Sequence, residues 1–217
     1  MSETTFFGFD NKDMRSEVQD RFKMEMGKTY IISFATEDPN SVFVGCKMHY
    51  SKSLKQGWKC LSTSTSKEIW CTQDYDGNEA KPRIGCVIVI YSDDEDELTG
   101  KTTRKVKSVK PWIFGGSVYD NLIKIYKIHG MVDLQVTCKD ATYQTIGSLV
   151  PEKAQAWTTN ENLKASILAK AKKIYSTLPK MLAPTKSISE IKEILGISSG
   201  SAEASTGLTL DSVAGNL

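Results

Sequence analysis

Ile84 to Tyr91, IGCVIVIY, is an uncharged run dominated by β-branched residues. A run of that kind is a central, buried strand around which the rest of the chain must be built. The 217 residues, 40% of them hydrophobic, can bury one sizeable core without disulfides or a metal, so one main domain is expected. Cys46, Cys60, Cys71, Cys86 and Cys138 are odd in number and unpaired in spacing, which fits a reducing compartment. No apolar run is long enough to span a bilayer, and the N-terminus lacks the basic-then-apolar pattern of a secretion signal. A soluble intracellular protein is expected.

Other strands are expected at Lys28 to Ala35 and Val42 to Tyr50, joined as a hairpin through Glu37 to Ser41, and at Trp58 to Leu61 and Glu68 to Thr72. Further strands are expected at Lys101 to Phe114, Val132 to Thr137 and Tyr143 to Leu149. Between them lies a helix from Ser117, with Asp120 as a weak capping partner, stopped by Gly130. Strands, one helix and two more strands suggest a mainly β, α+β chain built on a five-stranded oligonucleotide-binding barrel with an inserted helix. Asn160 to Leu178 reads as a helix ended by Pro179, and Ser187 with Glu190 caps a last one. Residues 1–27 are expected to be an extension, 28–196 the core with its C-terminal helices, and 197–217, rich in Ser, Gly and Ala, a disordered tail.

A net charge of +2 is too small to make the whole surface a polyanion binder, so any such role requires local segregation of charge. The chain has it. Asp93 to Glu97 is all acidic and is expected to be a solvated loop, while Lys101, Arg104, Lys105, Lys107 and Lys110 follow at once and lead to Trp112 and Phe114. Cations along a strand followed by aromatics suit a surface that holds phosphates and stacks bases, although a lysine-rich edge also prevents sheet aggregation. Trp58, beside Lys55 and Lys59 in a Gly-containing loop, is a second stacking candidate. Enzymatic activity is not expected. Gly100-Lys101-Thr102 ends like a phosphate loop but has Glu95 where a glycine is needed, and His49 and His129 stand far apart.

Four segments, His49 to Thr63 (HYSKSLKQGWKCLST), Lys81 to Asp93 (KPRIGCVIVIYSD), Gly100 to Ile125 (GKTTRKVKSVKPWIFGGSVYDNLIKI) and Val132 to Val150 (VDLQVTCKDATYQTIGSLV), resemble in their order the helix-destabilising single-stranded DNA-binding proteins of T-even phages and their relatives. The resemblance implies an oligonucleotide-binding barrel with a basic cleft lined by Lys81, Arg83, Lys105, Lys107, Lys110, Trp112 and Tyr143. Lys47, Tyr50, Lys55, Trp58, Lys59 and Arg104 complete the expected DNA-binding set. It implies a protein that holds single strands open during phage DNA replication, recombination or repair in the cytoplasm of an infected bacterium, binding RNA more weakly, with replication proteins as partners of the tail and no membrane partner. The alternative is a protein-interaction adaptor built on the same barrel. The family's zinc site has one His and three Cys. His49, Cys60 and Cys71 match, but only Asp74 follows where a fourth Cys is needed, so no cofactor is expected. The N-terminus also lacks the family's basic Ser/Thr motif for self-association, and the tail is only faintly acidic.

Overall fold

The apolar run lies in the middle of β4 (Lys81–Glu95), the longest strand and the one with the most neighbours. The computed structural model describes residues 21–62, 71, 77, 79–95, 102–138, 144–148 and 155–197. The remaining strands are β1 (Thr29–Phe34), β2 (Val44–Ser51), β3 (Gln56–Lys59), β5 (Thr102–Gly115), β6 (Leu134–Cys138) and β7 (Gln144–Ser148). The helices are α1 (Gly116–His129), α2 (Glu161–Leu182) and α3 (Ile188–Ile194). By backbone contacts the chain divides after Pro184, so α3 belongs to a second unit rather than to the expected 28–196 core. Its capping box between Ser187 and Glu190 is formed as expected.

The strands pair antiparallel in the order β3-β2-β4-β1-β6-β7, with β5 on the other edge of β4. The chain is therefore α+β, as expected, but its sheet has seven strands rather than five. Among the described residues no pairing closes it into a barrel. Nor do β1 and β2 form the expected hairpin. They lie end to end along one edge of β4, with Met48 opposite Lys81 and Ile32 opposite Ile90. The fifteen residues of β4 offer more edge than the six of β1 can cover. β4 also extends into the acidic run, where Asp93 to Glu95 pair with Thr102 to Arg104 instead of forming a loop.

Alternation along β4 divides the core into two layers. Cys86, Ile88 and Ile90 pack with Ile32, Phe34, Trp112, Phe114, Leu134 and with Val118 and Leu122 of α1. Val87, Val89 and Tyr91 pack with Val109, Trp157 and with Ile167, Ala171 and Leu178 of α2. Trp157 is buried, and its Nε1–H donates to the Phe34 carbonyl at 3.2 Å. Trp157→Ala is expected to cost about 3–5 kcal/mol, which urea unfolding would measure; a loss below about 1 kcal/mol would mean that α2 is not held through this residue.

Two helix ends differ from expectation. α1 begins at Gly116 with Gly115 as an N-cap that makes no side-chain bond, so Ser117 is not the cap. β5 runs straight into the helix. α2, capped by the Asn160 side chain, continues through Pro179 to Leu182. Leu178 and Leu182 both pack over Gly85, where an added Cβ would meet them at 3.0 and 2.9 Å, and that burial offsets the backbone bond lost at the proline. At the other end of the unit, residues 22–27 belong to the fold rather than to an extension. Phe22 N–H donates to the Pro111 carbonyl, its ring meets Trp112 edge-on, and Gly27 N–H donates to the Cys138 carbonyl.

Candidate nucleic-acid interface

The expected cleft is redistributed by the sheet register. On β2, Cys46, Met48 and Tyr50 share one face, and their partners there are Arg83 and Lys81 on β4 and Lys59 and Gly57 on β3. Tyr50 is 47% exposed. A Cβ on Gly57 would sit 3.2 Å from the Tyr50 ring, so the ring lies across the glycine and leaves its other side to solvent. Lys59 and Lys81 are exposed beside it. None of these strand positions carries a carboxylate.

Arg83 is half-buried, and its Nε has no hydrogen-bond partner among the described residues. Burial, and then the charge of Arg21, push its guanidinium pKa downward. Burial pushes the nearby Cys46 thiol upward, so it stays neutral. Arg83 is thus a cation with another cation as neighbour, an arrangement that an anion relieves. Beyond Tyr50 the β2–β3 turn presents exposed Lys52, Leu54 and Lys55, with Lys55 held at φ 51. A non-glycine residue there stores backbone strain.

Several expected members fall elsewhere. Trp58 and Trp112 are 0% and 1% exposed, so neither can stack on a base: Trp58 stacks on His49, and Trp112 packs with Phe22 and Phe114. Lys47, opposite Pro82, projects from the other face of β2. Arg104 pairs with the buried Asp133 at 2.7 Å and lies over Tyr91. Lys105 and Lys107 are exposed, but Lys105 lies opposite Ser92, nine residues along β4 from Arg83, or about 30 Å. The ladder skips Lys107 as a bulge. Lys110 is half-buried opposite Ile88, on the face of Trp112. Tyr143 lies outside the described residues. One basic cleft has become two separated basic regions, and the exposed ring belongs to the region around β2.

Asp133 and Tyr91 anchor the far end of the sheet. Tyr91 Oη bonds Ser33 Oγ and accepts from Trp157 N–H. Burial raises the Asp133 carboxyl pKa, more than Arg104 lowers it. Because the folded state holds that proton more tightly than the unfolded chain, this group favours folding at low pH. Its contribution shrinks as pH rises from about 3.9 through the raised folded value. Asp133→Asn should flatten that part of a Tm-against-pH curve; an unchanged slope would assign it to other groups.

On the opposite face of β2, His49, Cys60 and Cys71 bring their ligand atoms within 4.8 Å of one another. His49 Nε2 is 3.3 Å from Cys71 Sγ, and the two sulfurs are 3.8 Å apart. A tetrahedral zinc with Zn–S near 2.3 Å and Zn–N near 2.0–2.1 Å has edges of about 3.8 Å between sulfurs and about 3.5 Å between nitrogen and sulfur. His49 Nδ1 lies 2.9 Å from the Gly77 carbonyl oxygen. A carbonyl only accepts, so Nδ1 donates to it and Nε2 is the nitrogen turned toward Cys71, the backing expected of a metal-ligating histidine. Gly77 must be glycine: its φ is 105, and a Cβ there would lie 2.3 Å from the Tyr50 carbonyl oxygen. Three residues thus stand at the spacing of zinc ligands, and among the described residues no fourth His, Cys, Asp or Glu joins them. Asp74, the expected stand-in for a fourth ligand, lies outside the described residues. Cys46 faces away from His49, as strand alternation predicts.

Sequence reasoning did not find Arg21, Gly57 or Gly77. Their roles depend on pairings across the sheet, which leave no periodic signal. No helix among the described residues is long and apolar enough to cross a membrane. Neither a scan against protein-family models nor searches of curated proteins and of solved structures finds a match for this chain.

Proposed function

We propose that this chain binds single-stranded DNA without regard to sequence, laying it on the sheet face of β2, β3 and the start of β4. The observation that carries the reading is the exposed Tyr50 ring, set over Gly57 among Lys59, Lys81 and Arg83 with no carboxylate on the same strand face. The lysines and Arg83 neutralise phosphates, and Tyr50 stacks on an unpaired base, a contact contributing on the order of 1–3 kcal/mol. A duplex keeps its bases stacked internally and cannot use the ring, so single strands are preferred and melted regions held open. RNA binds more weakly by the same contacts.

The connectivity supports this reading. β1 lies between β4 and β6, β4 and β5 form a hairpin, and a helix precedes β6 and β7. A partly open oligonucleotide-binding barrel, whose strand face carries the ligand, would have its strands in a comparable order. His49, Cys60 and Cys71 hold a zinc ion that ties β2 to the segment after β3. Zinc supplies fold energy there, and the residues on the opposite face do the binding. The role in phage replication, recombination or repair in a bacterial cytoplasm follows from the sequence resemblance.

The adaptor reading has one observation in its favour, an apolar cleft lined by Phe34, Val42, Phe43, Tyr119 and Tyr126. Fluorescence anisotropy of labelled oligo-dT against a duplex of equal length, at two salt concentrations, separates the two. Salt-sensitive binding to the single strand supports capture. No binding to either overturns it and leaves the adaptor.

A further inference from the structure

α2 carries five lysines and one acid, Glu161 at its first residue. Lys164 pairs with Glu37 and Glu161. Lys170, Lys172, Lys173 and Lys180 are exposed, and among the described residues none of the four forms an ion pair. At about 100° per residue Lys170, Lys173 and Lys180 fall in a strip about 80° wide whose centre is about 120° round the helix from the buried Ile167, Ala171 and Leu178, with Lys172 about 80° beyond Lys180. A soluble helix gains from acids three or four residues from its lysines, and this one has none beyond its first turn.

The helix also ends at the candidate interface. Leu178 and Leu182 close over Gly85, and Arg83 and Lys81 follow Gly85 on the same face of β4 by strand alternation. Lys59 N–H donates to the Pro184 carbonyl at 2.9 Å. The last turn of α2, which bears Lys180, therefore adjoins the strand that bears Lys59. α1 packs in the other layer, so Lys124 and Lys127 do not share this surface.

We propose that the outward strip of α2, Lys170, Lys173 and Lys180, is a second segment of the nucleic-acid track, which receives the backbone of a single strand after it leaves Tyr50. The proposal rests on the reading of the β2–β4 face as the interface. No exposed aromatic accompanies the three lysines on this strip, so the segment holds phosphates and contributes length and salt dependence without stacking. A strand reaching only the Tyr50 face does not touch it.

The test uses the full chain with oligo-dT of about four and about sixteen nucleotides, the limits of site size for such folds, titrated over a range of salt. The K170Q/K173Q/K180Q variant is expected to reduce the slope of log K against log salt for the long oligomer by about two units, at about 0.7 per single-strand phosphate, and to leave the short oligomer unchanged. K124Q/K127Q should change neither. An unchanged long-oligomer slope, or equal effects on both lengths or in both variants, overturns the proposal. If Tyr50→Ala fails to weaken the short oligomer, or the parent protein binds neither length, the interface reading itself has failed, and the α2 segment with it. Far-ultraviolet circular dichroism of the variants checks that exposed Lys→Gln changes leave the helix intact.

Discussion

Changing Lys59, Lys81 and Arg83 together to Gln is expected to flatten the salt dependence of oligo-dT binding by about two units of slope, and to weaken binding at 50 mM salt by on the order of 10²–10³-fold. Tyr50→Ala should weaken it about 5- to 150-fold, matching 1–3 kcal/mol for one stacked base, with the slope unchanged. The pairing of effects is diagnostic. A loss of charge changes the number of counterions released, whereas a loss of ring surface does not. Trp112→Phe, in the core behind the sheet, should leave both quantities near those of the parent while lowering stability. If the triple variant keeps its slope and Tyr50→Ala keeps its affinity, nucleic acid does not lie on this face.

Zinc is the second large effect. The purified protein is expected to carry about one zinc ion per chain, since three ligands already stand at near-tetrahedral spacing. Cys71→Ser or His49→Ala should abolish it. Structural zinc contributes on the order of 10 kcal/mol to small domains that lack another core. Here two apolar layers remain without it, so the loss should be local. Hydrogen exchange should show lost protection in β2 and β3 while the middle of β4 stays protected, and oligo-dT affinity should fall because Tyr50 and Lys59 are no longer held. Gly77→Ala gives a sharper check. It removes no ligand, but the Cβ cannot fit against the Tyr50 carbonyl, so zinc affinity should fall through His49. Metal-free protein with unchanged stability in all three variants would make the cluster a buried polar group of no metal function.

Much of this protein was legible in its sequence. The apolar run of β4, the helix stopped at Gly130 and the capping box at Ser187 were readable because each depends on neighbours within a few residues. Charge segregation could likewise be read directly, but it pointed to Lys101, Arg104, Lys105, Lys107 and Lys110; Lys81 and Arg83 were implied only by the family resemblance. The partition of the aromatics could not. Trp58, Trp112 and Tyr50 all stand near lysines in the chain, yet only Tyr50 is on the surface. Which face of a strand is buried depends on what packs against it. α1 and the Phe22 segment cover Trp112, His49 lies over Trp58, and among the described residues the Tyr50 ring above Gly57 stays 47% exposed. The same holds for the single cleft that became two regions, since β4 is long enough to carry its basic neighbours to opposite ends. Composition and short-range pattern determined which residues are available for polyanion binding; strand register and helix packing, which join residues far apart in the chain, decided which of them stand together.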